Sequence, residues 1–140
     1  MGGKSSRDKG MRAERAIIAL LQPCVDRAYV GSRVVAAPTL ERNLEQSRAG
    51  GCDIIGLPWI AIEVKHQETL QLASWWLQTL SQARKNNAIP CLIYRQNRVS
   101  WKAVVELEIA KNVVAPVTLD LESFLLWFEA KAGEMCGERT

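Results

Sequence analysis

The chain lacks several things whose absence narrows its function before any motif is considered. Its four cysteines, Cys24, Cys52, Cys91 and Cys136, never pair as C-x-x-C, and His66 is its only histidine. A structural zinc site needs paired ligand spacing, so none is expected. Three of the cysteines sit in apolar or strand-like surroundings, where a reduced thiol packs as a small hydrophobe, and a reducing, cytoplasmic setting follows. No run approaches the ~18–20 apolar residues of a membrane span. The polar, basic start from Met1 to Gly10 has no apolar stretch of the kind a secretory signal carries. Internal repeats and low-complexity blocks are absent too.

What is present fits one globular domain. With 140 residues, 48% hydrophobic and 24% charged, the chain is long enough to bury a core without staples. The net charge of +3 hides an asymmetry: residues 1–102 hold 15 Lys/Arg against 8 Asp/Glu, whereas residues 103–140 hold 3 against 7. A positive surface in the larger part suits a polyanionic partner.

Periodicity predicts a helix from about Lys9 to Leu21, with Ala13, Ala16/Ile17 and Leu20 at three-to-four spacing and Pro23 ending it. The β-branched stretch Val25–Val35 reads as one or two strands broken near Gly31. Residues 36–50 read as a long polar loop or a short helix within one. Cys52–Leu57 and Trp59–Lys65 read as strands joined by a tight Gly56-Leu57-Pro58 turn. A helix is expected over Glu68–Asn86, with Leu72, Trp75/Trp76 and Leu80 on its apolar side and Gln71, Gln78, Gln82 and Lys85 on the other. Pro90–Tyr94 and Val99–Val105 form a further hairpin. A last helix, about Asp120–Ala130, is capped by Asp120 and buries Leu121, Phe124, Leu125 and Phe128. The order α-β-β-β-α-β-β-α makes the fold mixed α/β with a central sheet. A basic flexible tail is expected over residues 1–8, a single domain over 9–132 with its core at 9–105, and a second flexible tail over 133–140.

The chemistry concentrates in Asp53-x9-Glu63-x-Lys65. Alternation along the second strand sends Ile62 and Val64 to one face and Glu63 and Lys65 to the other. Phosphodiester hydrolysis needs such a set. Mg²⁺ prefers carboxylate, carbonyl and water oxygen. Asp53 and Glu63 supply two carboxylates and the Val64 carbonyl a third donor, while Lys65 can orient or deprotonate a water and place positive charge near the phosphate. An exposed Glu-x-Lys pair is usually only a solvated strand edge. Here Ile60, Ile62 and Val64 flank it, a buried context in which charges are rare without purpose. Glu14, on the first helix among basic neighbours, offers another carboxylate. Arg42, Asn43 and Arg48, beside a flexible Gly50-Gly51 pair, are candidate phosphate contacts. His66 reads as a hydrogen-bonded neighbour rather than a base.

These segments together resemble a known family. Lys9-Gly10-x-x-x-Glu14-Arg15, then Cys52-Asp53-Ile54-Ile55-Gly56, then Ile62-Glu63-Val64-Lys65 are similar to the PD-(D/E)xK nuclease superfamily, most of all to archaeal-type Holliday-junction resolvases and small phage nucleases. Ile89–Tyr94 and Trp101-Lys102 are similar to that family's later strands. The resemblance covers roughly Lys9 to Val105. It implies a restriction-endonuclease-like core and a Mg²⁺-dependent DNA endonuclease, with Mn²⁺ able to substitute. Asp53 and Glu63 would be metal ligands, Lys65 the catalytic lysine, and Glu14 would complete the metal site. Gln82, or Gln78, would orient water or phosphate from the following helix. It further implies a homodimer cutting branched DNA symmetrically in a bacterial, archaeal or phage-infected cytosol, with Lys9, Arg12, Arg15, Arg42 and Arg48 of both subunits spanning the junction. Trp75, Trp76, Leu121, Phe124 and Phe128 are available for the subunit interface. An exonuclease or restriction- or repair-type nuclease with the same site stays open, as does a non-catalytic DNA-binding module. The usual proline before the first catalytic aspartate is Cys52 here, and the segment Leu40–Gly51 is longer than in the archaeal enzymes.

Overall fold

The computed structural model of the protein describes residues 2–32, 36–46 and 51–138. Along them run helix α1 (Gly2–Ala28), short strands β1 (Glu41–Arg42) and β2 (Ile54–Ile55), strand β3 (Ile60–His66) and helix α2 (Leu72–Lys85). Strands β4 (Ile89–Arg95), β5 (Lys102–Ala110) and β6 (Val113–Asp120) and helix α3 (Leu121–Glu138) follow. The strands form one sheet in chain order. Neighbours are antiparallel except β3 and β4, which run parallel with Ile60 beside Ile89 and Lys65 beside Tyr94. A parallel pair needs a crossover, and α2 supplies it. The class is mixed α/β, as the sequence predicts.

Alternation along β3 and β4 decides the layers. Ile60, Ile62 and Val64 of β3, with Cys91 and Ile93 of β4, share a core with Ile17, Leu21 and Val25 of α1 and Phe124 and Phe128 of α3. The intervening residues point the other way, toward α2: Ala61 meets Ala83, while Leu92 and Tyr94 meet Trp75. Strand β3 is therefore covered on both sides. Strands in that position are normally apolar throughout, and Glu63, 1% exposed, is the exception.

Four expectations need correction. First, α1 passes through Pro23 to Ala28, so Val25–Ala28 is helix and not strand; Tyr29–Gly31 is a turn, and residues 33–35 lie outside the described residues. Pro23 and Ala19 are both exposed, so the carbonyl deprived of its donor can turn to water. Beyond the proline, Cys24 and Val25 are buried in the core shared with α3, and that packing outweighs local propensity. Second, the long segment before Asp53 contains a strand, β1, which pairs with β2 through Arg42 opposite Ile54. Third, β5 continues to Ala110 and pairs with β6, a strand the pattern did not reveal. Pro116 interrupts the run, and β6 occupies the sheet edge, where proline is tolerated. Fourth, α2 begins at Leu72 because residues 67–68 are fastened to the β4–β5 turn: Gln67 N donates to Arg95 O (3.2 Å), and Glu68 Oε1 accepts from Asn97 N (3.0 Å). Its buried face is Trp75, Thr79 and Ala83, with Leu72 exposed. The buried Thr79 hydroxyl is satisfied by Trp75 O at 2.8 Å.

The C-terminal helix keeps its expected cap, Ser123 N donating to Asp120 Oδ1 at 2.7 Å, and extends beyond the expected end to Glu138. The segments expected as tails are helical where described, residues 2–8 within α1 and 133–138 within α3. Trp75, Phe124 and Phe128, offered above as interface material, are buried inside the chain, and Trp76 and Leu121 pack partly buried against the same clusters. Cys24, Cys91 and Cys136 are buried free thiols and Cys52 is half-buried. Among the described residues no helix is long and apolar enough to cross a membrane.

Because Pro23 faces solvent inside a helix, Pro23→Ala restores a backbone donor without disturbing the core. It should raise the free energy of unfolding by about 1–3 kcal/mol, read as a shift in urea midpoint. A lower midpoint would mean that the bend at Pro23 is needed to seat Cys24 and Val25.

Candidate active site

Strand β3 carries the site, and the turn before β2 completes it. Asp53 N donates to Ile62 O at 2.9 Å, continuing the antiparallel ladder one step past β2. Its carboxylate then reaches across: Oδ2 accepts from Val64 N at 2.7 Å, and Oδ1 accepts from Gln46 Nε2 at 2.7 Å. Gln46 is anchored in turn, its amide also donating to Gly51 O at 3.1 Å. Asp53 is 7% exposed.

Glu63 stands against Asp53 on the face that α2 covers. One carboxyl oxygen, Oε1, is buried with no hydrogen-bond partner among the described residues. Burial first, and then the charge and contact of Asp53, push the Glu63 carboxyl from an ordinary 4.5 up to about 9, against the opposing pull of Lys65. Glu14 reaches the same place from α1. Arg42 Nε donates to its Oε1 at 2.8 Å in a half-buried ion pair. Burial nevertheless holds the Glu14 carboxyl above its usual range, with Asp53 adding to the rise and Arg42 and Lys65 opposing it.

A cleft of about 530 Å³ opens here, lined by Ser6, Lys9, Gly10 and Glu14 of α1, by Val64, Lys65, His66 and Thr69, and by Asp53, with Glu63 buried behind it and outside its lining. His66 is a satisfied neighbour, as expected: Arg95 Nε donates to its Nε2 at 3.4 Å, and Trp101 meets it edge-on at 5.9 Å. Burial, with Arg95 and Lys9 beside it, lowers its pKa, so it is neutral near pH 7.

The structure thus brings together Glu14, Asp53, Glu63, Val64, Lys65 and Lys9. It does not bring in Gln82, half-buried on α2, or exposed Gln78; neither lines the cleft. Arg12 and Arg15 are exposed on α1 away from the cleft walls. Arg42 and Asn43 hold the site from within, Arg42 on Glu14 and Asn43 Nδ2 on Cys52 O at 2.9 Å. Arg48 lies outside the described residues. Gln46 is the contact that sequence reasoning missed, and a glutamine in a polar loop gives no signal that could have found it.

The donor set fits a hard divalent cation. Its side-chain donors are carboxylate oxygens, one of them buried without a partner among the described residues, a place a cation would satisfy. Among the described residues no group of three or more His, Cys, Asp or Glu side chains is arranged to hold a metal ion as it stands, so the fit rests on the chemistry of the donors. Magnesium suits such an arrangement, since it usually keeps several waters and takes one or two carboxylates plus substrate phosphate.

Glu63 therefore makes the metal-free protein pH-sensitive. Between about pH 4.5 and 9 the folded state holds a proton that the unfolded state releases, so stability falls as pH rises through that window. Denaturant titrations in EDTA should show this slope, and Glu63→Gln should flatten it and raise stability at pH 8. An equal slope in both proteins would place the Glu63 carboxyl in water.

The sequence profile of the family described as "Phage putative PDDEXK endonuclease" matches residues 5–126. Comparison with curated proteins finds no match. Among solved structures, the chain is similar to Archaeoglobus fulgidus Hjc, a Holliday junction resolvase from an archaeal hyperthermophile, with a TM-score of 0.45 and 21% identity over 84% of this chain and 88% of that one. The matched region contains Glu14, Asp53, Glu63 and Lys65, and by that match this chain belongs to the phage PD-(D/E)xK endonuclease family.

Proposed function

We propose that this chain is a Mg²⁺-dependent endonuclease that hydrolyses DNA phosphodiester bonds, with four-way and other branched junctions as its substrates and a homodimer as its working form. One observation carries the catalytic reading: a buried, partnerless Glu63 oxygen set against Asp53, with Lys65 on the same strand face. A buried carboxyl pair is costly to a fold that gains nothing from it. Its retention in a strand covered on both faces is explained by a cation. The junction and dimer readings rest on the motif spacing shared with resolvases. A two-fold dimer places two sites on strands of like polarity.

Asp53 and Glu63 would hold the ion, with Glu14 and the Val64 carbonyl as further oxygen donors. The ion would supply Lewis-acid stabilisation of the phosphate and a more acidic bound water. The chain's own groups do the rest. Gln46 and the Val64 N–H fix the rotation of the Asp53 carboxylate. Lys65, half-buried at the cleft wall, orients the attacking water and offsets the charge that develops on the phosphorane. Lys9 faces the same cleft and can donate to phosphate oxygens.

Asp53→Asn and Glu63→Gln should each cost about 10³-fold or more in cleavage while leaving DNA binding within a few-fold, since the loss is of transition-state stabilisation worth about 4 kcal/mol. Lys65→Arg should recover little of what Lys65→Ala loses, because a planar guanidinium does not fit the place of a compact ammonium. Cleavage of four-way junction, linear duplex and single strand in Mg²⁺, Ca²⁺ and EDTA checks the reading. Carboxylate variants cutting at wild-type rate would sink the site. Linear duplex cut as well as junction would remove the branched-DNA assignment alone.

A further inference from the structure

Beyond the cleft lies a second groove that the catalytic reading does not use. It measures about 400 Å³ and is lined by Arg7, Met11, Arg42 and Asn43, among others. Two residues line both it and the cleft, Gly10 and Glu14. They are four apart on α1, so they stack on one helical face and form the ridge between the two depressions. At Glu14 the ridge carries a side chain, tied down by Arg42. At Gly10 it is bare backbone.

No described residue accounts for that glycine. Among the described residues a Cβ built at Gly10 meets no atom within 4 Å, so no neighbouring element there approaches closely enough to require its absence. The residue lies in the interior of α1, where glycine weakens a helix relative to alanine. Cationic side chains stand on both flanks, Lys9 and Lys65 in the cleft and Arg7 and Arg42 in the groove. The cleft also holds the acids Glu14, Asp53 and Glu68, so phosphates passing over the low saddle would meet ammonium groups beside the carboxylates on one side and guanidinium groups on the other.

We propose that the scissile DNA strand crosses α1 at Gly10, leaving the cleft for the second groove, where the phosphates flanking the cut lie against Arg7, Arg42 and Asn43. Gly10 is bare because the sugar-phosphate backbone occupies the space a side chain would fill. This rests on the reading of the cleft as a DNA site.

The test compares Gly10→Ala and Gly10→Leu with Ala16→Leu, a change at an exposed α1 position that lines neither depression. Melting temperature, Ca²⁺ affinity by calorimetry without DNA, and binding of fluorescent junction in Ca²⁺ are measured for each. Both Gly10 variants should melt about 2–4 °C higher, since they mend the helix. Ca²⁺ affinity should stay within two-fold. DNA affinity should fall roughly ten-fold for Gly10→Leu and less for Gly10→Ala, with Ala16→Leu unchanged. Arg7→Gln should reduce the slope of log affinity against log salt by about 0.9, the signature of one lost phosphate contact. Gly10→Leu binding DNA as tightly as wild type, or an unchanged salt slope in Arg7→Gln, overturns the crossing and leaves the cleft in place. A wild-type protein that binds Ca²⁺ but no DNA overturns both.

Discussion

The burial of one carboxyl, Glu63, at the centre of a strand covered on both faces is the constraint around which this molecule is built. Strand β3 must be apolar enough to hold α1 and α3 on one side and α2 on the other, and Ile60, Ala61, Ile62 and Val64 make it so. Placing an acid among them forfeits hydration, and the rise of the Glu63 pKa to about 9 records that cost. The surrounding structure then exists to hold the acid's partners. Asp53 is turned toward it by the Val64 N–H and by Gln46, and Glu14 is brought over from α1 under the hand of Arg42. Rigidity comes from the sheet and chemistry from the exception to it.

A consequence is that the polar loop before Asp53 is as much a part of the site as the strands are. Residues 41–46 add β1 to the sheet, and their side chains reach two of the acids and the carbonyl that precedes Asp53. Three donors from one short segment converge on groups that would otherwise repel one another. Arginine and amide donors suit this work because they satisfy carboxylate oxygens without closing the cleft above them.

The sequence was most legible where chemistry and burial contradict each other. Charged residues in an apolar run, Glu63 and Lys65, pointed to the candidate site, and Asp53, which the structure sets against Glu63, followed from the hairpin spacing. The amphipathic C-terminal helix, with Asp120 at its cap and Phe124 and Phe128 on its inner face, was legible from periodicity alone. What stayed hidden depended on distant packing. Nothing local to Pro23 tells that α1 continues, because Val25 helical is stabilised by α3 a hundred residues on. Strand β6 was obscured by Pro116 and by having only half-buried inward positions at the sheet edge. Trp75 and Trp76 marked the inner side of α2, but Leu72 and Leu80 turned the expected face away from Thr79 and Ala83, which complete the buried one. Gln46 carried no mark of its role at all.

The packing of α1 on α3 also sets the order in which this molecule can come into being. Ile17, Leu21 and Val25 share their core with Phe124, Phe128 and Ala132, and Arg27 pairs with Glu129 across the same seam. During synthesis from the N-terminus, the part of this core that α3 covers stays open until the last helix has left the ribosome. A still-growing chain therefore exposes apolar core, Ile17, Leu21 and Val25 among it, until α3 has been made.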